Sequence, residues 1–119
     1  KELHNMEQYK NQYFESSSGL TPEFASFTRT AKKYLTTELS KHNLDVIKFS
    51  RGHFDFSLFA KNRTTNKIVY ISVCDIRPYF TGQLYYRTAE HDKDYKGGMN
   101  NWCDINEVAS NAERITNGL

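Results

Sequence analysis

The stretch "HFDFSLFAKNRTTNKIVYISVCDI", residues 53–76, decides the fold. On either side of "NRTTNK" stand runs rich in Phe, Ile, Val and Tyr that read as strands, and the first of them alternates apolar and polar positions as a half-buried strand does. The Arg-Thr-Thr-Asn between them has the composition of a reverse turn. The pattern predicts a β-hairpin. If its turn centres near Thr64, Phe54 faces Cys74 and His53 faces Asp75. One side of the hairpin then gathers Phe54, Phe56, Leu58, Ile68, Tyr70 and Cys74 and is expected to meet the core. The other carries Phe59, Val69, Ile71 and Val73 with the polar His53, Asp55, Ser57, Asp75 and Arg77. The register rests on the turn centre, because a slip of one residue exchanges the faces.

Outward from the hairpin, "DVIKF" (45–49) and "QLYYRTA" (83–89) read as further strands, giving a three- or four-stranded antiparallel meander. Upstream, "LTPEF" opens a helix, with Thr21 able to cap it and Pro22 at its first position. Phe24, Phe27, Ala31, Tyr34, Leu35 and Leu39 then form one apolar stripe running to about Lys41. Downstream, "CDINEVASNAERITNG" (103–118) reads as a second helix. Asp104 and Glu107 make a capping-box-like start, Ile105, Val108, Ala109, Ala112 and Ile115 a stripe, and Asn-Gly a stop. Two amphipathic helices and a small sheet bury their apolar sides only by layering, so the expectation is an α+β domain, α-β-β-β(-β)-α, over residues 21–119. Residues 1–20, rich in Asn, Gln and Ser, are expected to form a flexible arm or a short, loosely docked helix.

With 119 residues the chain fits one domain, and its eight Phe, eight Tyr and one Trp imply a core built from large rings. A net charge of +2 is too small to argue for nucleic acid by itself. No run approaches the ~18 apolar residues of a membrane span, and two widely separated cysteines suggest a reducing compartment. A soluble protein of the host-cell cytoplasm, with no membrane partner, is the expectation.

Chemistry-bearing residues gather in three places. His53, Asp55, Asp75 and Arg77, with Arg87 nearby, could orient an imidazole as a general base or form an ion-pair lattice. The acid-x-Lys pair of metal-dependent nucleases is absent, and His4, His42 and His91 have no metal-ligand spacing with Cys74 or Cys103. Cys74 reads as core, and Cys103 precedes a helix start without an evident base. No catalytic residues, cofactor or metal are expected.

The second place is "YRTAEHDKDYKGGMNNW" (86–102), a long polar loop with aromatic anchors. Lys96 beside Gly97-Gly98 lacks the spacing of a phosphate-binding loop. Arg87, His91, Asp92, Lys93, Asp94, Tyr95, Lys96 and Trp102 are candidate contacts to a protein partner, and bracing of the sheet is the structural alternative. The third is a basic set, Arg29, Lys32, Lys33, Arg51, Lys61, Arg63 and Lys67, which would contact phosphates if brought together. The order helix, strands, helix also occurs in double-stranded-RNA-binding domains, but "DINEVASNAER" lacks the basic cluster of their second helix.

"TPEFASFTRTAKKYLTTEL", "KFSRGHFDFSLF", "YISVCDIR" and "YRTAEHDKDYKGGMNNW" resemble segments of small proteins of bacterial mobile elements and phages. Those proteins share a Gly-His-Phe strand, a Ser-Asp-x-Arg strand end and an Arg-Thr-Ala...Lys-Asp-Tyr-x-Gly-Gly loop. The resemblance covers residues 21–102, with Cys74 where the pattern has Ser. It implies no catalytic role. It implies an anti-defence inhibitor, of the anti-restriction or anti-CRISPR kind, that docks on a host nuclease. The alternative is a nucleic-acid-binding accessory protein that uses the basic helix face and hairpin tip.

Overall fold

A computed structural model describes residues 22–52, 55–73 and 81–117. Helix α1 spans Pro22–Lys41, strands β1 Leu44–Arg51, β2 Phe56–Asn62, β3 Ile68–Val73, β4 Gln83–Ala89 and β5 Asn101–Asp104, and helix α2 Val108–Thr116. The strands form one antiparallel sheet in sequence order. The fold is α+β, and the sheet has a fifth strand where a loop was expected. Residues 1–20 and Thr21 lie outside the described residues.

α1 forms where its stripe predicts. Phe27, Ala31, Leu35 and Leu39 are fully buried, while Arg29, Lys32 and Lys33 are exposed on the opposite side. The helix ends at Lys41, and Asn43 two residues on, with a φ of +70°, is the left-handed turn that lets the chain reverse into β1. α2 begins later than its sequence suggests. Ile105 N donates to Gly82 O at 2.7 Å, so β4–β5 pairing keeps the chain extended through Asp104. Asp104 Oδ2 then accepts from Asn106 N at 2.9 Å in a turn, and no side chain caps the helix. Asn117 ends α2 with φ −75°, not left-handed, and Gly118 is outside the described residues.

The hairpin register differs by one residue from the expected one. Phe56 faces Val73 and Leu58 faces Ile71, because the turn spans residues 63–66 and so centres half a residue later. Asn66, with φ +64°, supplies the left-handed position that closes this longer turn. The consequence is an exchange of faces on β3. Val69, Ile71 and Val73 join Phe56, Leu58 and Ala60 in the core under the helices, and Tyr70 moves to the other face with Phe59. His53, Phe54 and residues 74–80, including Cys74, Asp75 and Arg77, lie outside the described residues.

Hydrogen bonds tie α1 and the turn after it to α2 and the turn before it. Tyr34 Oη donates to Asn106 Oδ1 at 3.0 Å, and His42 Nδ1 stands 2.8 Å from Glu113 Oε1. Buried Asn62 ties the hairpin turn to the end of α2. Its Oδ1 accepts from Thr64 N and Thr65 N at 2.9 and 3.1 Å, and its Nδ2 donates to Thr116 Oγ1 at 3.0 Å.

Candidate functional site

Both helices pack on the face that carries Phe56, Leu58, Val69, Ile71, Leu84 and Tyr86. Strand alternation therefore directs Phe59, Tyr70, Tyr85, Arg87 and Trp102 to the opposite face. Register aligns them across the strands: Phe59 with Tyr70, Tyr70 with Arg87, and Tyr85 with Trp102. Ring centroids are 4.9 Å apart for Phe59–Tyr70, 6.1 Å for Tyr70–Tyr85 and 5.2 Å for Tyr85–Trp102, so an aromatic run extends from β2 to β5.

The connection between β4 and β5, residues 90–100, folds over part of this face. Tyr95 sets its ring edge-on to Phe59 and Tyr70, at 5.2 and 5.7 Å. Arg87 holds the connection from beneath. Only 3% exposed, it places its guanidinium 4.6 Å from the Tyr70 ring centre and donates from Nη2 to Asp94 O at 2.7 Å and from Nη1 to Thr88 O at 3.3 Å. A cation withdrawn from water needs such partners, and the planar fork of arginine suits several acceptors at once.

Asp94 organises the backbone above it. Its carboxylate accepts from Glu90 N at 2.9 Å and from Gly97 N at 2.8 Å, with a longer approach from Lys96 N at 3.4 Å. These bonds, that from Glu90 foremost, hold its pKa below the ordinary Asp value, and the Arg87 charge acts in the same direction. At Gly98, φ is +78°, and a Cβ would stand 3.1 Å from Thr88 O and 3.3 Å from Arg87 Cδ, which explains a glycine there. Lys48 of β1 adds a tie on the other side, donating to Asp92 O at 3.3 Å with its ammonium 5.4 Å from the Tyr95 ring centre.

The expected partner contacts thus divide by position. Arg87 and Asp94 point inward and position the connection, because their polar atoms are engaged with its own backbone. His91, Lys93 and Lys96 are exposed and Asp92 half-buried. Tyr95 is 46% exposed and Trp102 58%. Met99, 82% exposed, joins them, and nothing in the sequence around it distinguished it from a loop residue.

Of the polar hairpin end, Asp55 is exposed and the other three members lie outside the described residues. The basic set does not form one surface. Arg29 lies about 16 Å along α1 from Ser40, at 1.5 Å per residue, and it is at Ser40 that Arg63 attaches. The Arg63 guanidinium bonds Asp45 Oδ1 and Ser40 Oγ, both at 2.8 Å, so its charge is paired. Lys32 stands 5.1 Å over the Phe49 ring on the helix side, while alternation puts Lys61 on the open face. The chain separates these cations because helix and sheet present their exposed sides in opposite directions.

Burial pushes the Cys103 thiol pKa up, and nearby Glu107 and Asp104 reinforce the shift against a lowering bond from Asn111. A thiolate is therefore disfavoured there. Among the described residues, no group of three or more His, Cys, Asp or Glu could hold a metal ion, and no helix is long and apolar enough to cross a membrane.

No protein-family model, curated protein or solved structure matches the chain.

What the arrangement can do follows from its surface. Tyr95, Met99 and Trp102 expose large apolar side chains within eight residues, on a backbone tied down by Arg87, Asp94 and Lys48. Aromatic residues and Met are enriched where proteins bind one another, and a stretch held in place before binding loses less entropy on docking.

Proposed function

We propose that this protein is a non-catalytic binding module that docks on a protein partner through its open sheet face, with Tyr95, Met99 and Trp102 as the contact residues. The observation that carries the reading is their joint exposure within residues 95–102, beside a backbone that Arg87, Asp94 and Lys48 hold in place. Arg87 and Asp94 act as positioning residues beneath it. The partner class follows from the resemblance to mobile-element and phage proteins: a host defence nuclease, inhibited by occlusion, in the cytoplasm of the bacterial cell. The basic residues favour nucleic acid less, since they are divided between two faces.

The test is capture of partners from nuclease-treated bacterial lysate on the immobilised protein, compared with Tyr95→Ala/Trp102→Ala. A bound protein that survives nuclease treatment and is lost in the double variant, while thermal unfolding stays cooperative, supports the reading. Recovery of nucleic acid alone, or equal capture by the variant, overturns it. If a nuclease is recovered, inhibition of its cleavage by the parent chain and not by the variant tests the partner class.

A further inference from the structure

Met99 is the most exposed large apolar side chain among the described residues, 82% open to solvent. It stands in sequence between Tyr95 and Trp102, and of these three contact residues it alone carries sulfur. A thioether is apolar and fits a binding surface of rings. Its sulfoxide is polar, and burying a polar oxygen that has no hydrogen-bond partner is costly.

The main chain on either side is held by groups other than the Met99 side chain. Before it, Gly97 N donates to Asp94 Oδ1 at 2.8 Å, and Gly98 sits at φ +78° against Thr88 O and the Arg87 side chain. After it, Asn101 Nδ2 donates to Met99 O at 3.3 Å, and Asn101 pairs with Tyr86 across β4 and β5. A change at the sulfur therefore alters the surface and leaves the fold in place.

The other sulfur among the described residues is less reactive. Hydroperoxides attack a thiolate rather than a thiol, and half-buried Cys103 disfavours its thiolate because burial raises the thiol pKa. A thioether has no proton to lose, so access governs its oxidation. Met6 and Cys74 lie outside the described residues.

We infer that Met99 is a redox modification site, at which oxidation to the sulfoxide by a hydroperoxide switches the docking surface off and reduction switches it on again. The sulfur lone pair attacks one peroxide oxygen, the S–O bond forms as the O–O bond breaks, and the departing oxygen leaves as water with the proton of the transferred one. Sulfur is oxidised by two electrons and the peroxide reduced by two. The inference rests on the protein-docking reading and adds its regulation.

The full chain is treated with graded hydrogen peroxide and mapped by peptide mass. Met99 sulfoxide should form before any oxidation of Cys103, at a rate close to that of N-acetylmethionine amide in the same solution, with the melting temperature unchanged. Affinity for the partner recovered from lysate is then measured before peroxide, after it, and after treatment with both methionine sulfoxide reductases. Oxidation should weaken binding by about tenfold or more and reduction restore it, in Met6→Leu as in the parent. Met99→Leu, whatever its starting affinity, should bind equally before and after peroxide, and Met99→Gln should bind as weakly as the oxidised parent. Protection of Met99 from peroxide, a melting temperature that falls with its oxidation, or a loss of affinity that Met99→Leu shares or Met6→Leu escapes overturns the inference. If capture depends on Tyr95 and Trp102 but survives oxidation of Met99, the docking reading stands and the switch falls. If the unoxidised chain captures nothing through Tyr95 and Trp102, both fall.

Discussion

Replacing Arg87 by Met should loosen the connection between β4 and β5. The guanidinium is almost wholly buried, and its bond to Asp94 O is 2.7 Å long. A hydrogen bond from a charged donor contributes about 1.5–3 kcal/mol, and a desolvated cation over an aromatic ring about 2 kcal/mol. The methionine would fill much of the same space over Tyr70 and recover about 1 kcal/mol of apolar burial. The net loss is about 3 kcal/mol, a large share of the 5–15 kcal/mol typical of a domain. At about 4 °C per kcal/mol for a chain of this size, the melting temperature should fall by about 12 °C. Thermal unfolding by circular dichroism measures the loss. Amide exchange locates it: Glu90 and Gly97, whose N–H groups donate to Asp94, should exchange faster by more than the global destabilisation accounts for. Buried charges replaced by apolar side chains are sometimes neutral or stabilising. A melting temperature within about 3 °C of the parent, with unchanged exchange at both amides, would refute the reasoning that Arg87 holds the connection.

Two further outcomes follow from named groups. The pKa of Asp94 is lowered in the folded protein, so its contribution to stability is fully present above the unfolded value, about 3.9, and is lost as pH falls through the lower folded value. Urea midpoints at pH 6 and pH 3 should therefore drop further for the parent chain than for Asp94→Asn, and equal drops would contradict the assignment. Thr28 is buried on α1 with its Oγ1 lacking a hydrogen-bond partner among the described residues, so Thr28→Val should raise the melting temperature by a few degrees, at about 1 kcal/mol. A lower melting temperature would mean that the hydroxyl is satisfied in solution.

Much of the fold was legible in the sequence, and the exceptions have physical causes. The α1 stripe and the "QLYYRTA" strand appear where their periods place them, because each period maps directly onto a buried side. β5 was not legible. Four residues, Asn-Trp-Cys-Asp, carry too few alternations to show a period, and they become a strand only because Leu84 and its neighbours on β4 supply hydrogen-bonding partners. The capping-box reading of Asp104 failed for the same reason, since pairing to β4 keeps that residue extended.

The candidate face shows the division most clearly. By itself the sequence determined which residues carry large apolar surface, Tyr95 and Trp102 among them, and that the stretch around them is polar and turn-rich. It did not determine which face they share. That depended on one residue of register in the β2–β3 hairpin, fixed by a turn closed at Asn66 and held by Asn62 against the end of α2. Nor did it determine that Arg87 and Asp94 turn inward while Met99 turns outward. A charged side chain is buried only where a ring and several acceptors converge on it, and those partners, Tyr70, Thr88 and Asp94, come together on β3, β4 and the following connection only after the sheet has formed. Periodicity assigns elements from near neighbours along the chain. Which side of the sheet faces outward is decided by contacts distant in sequence, and those exist only in the tertiary structure.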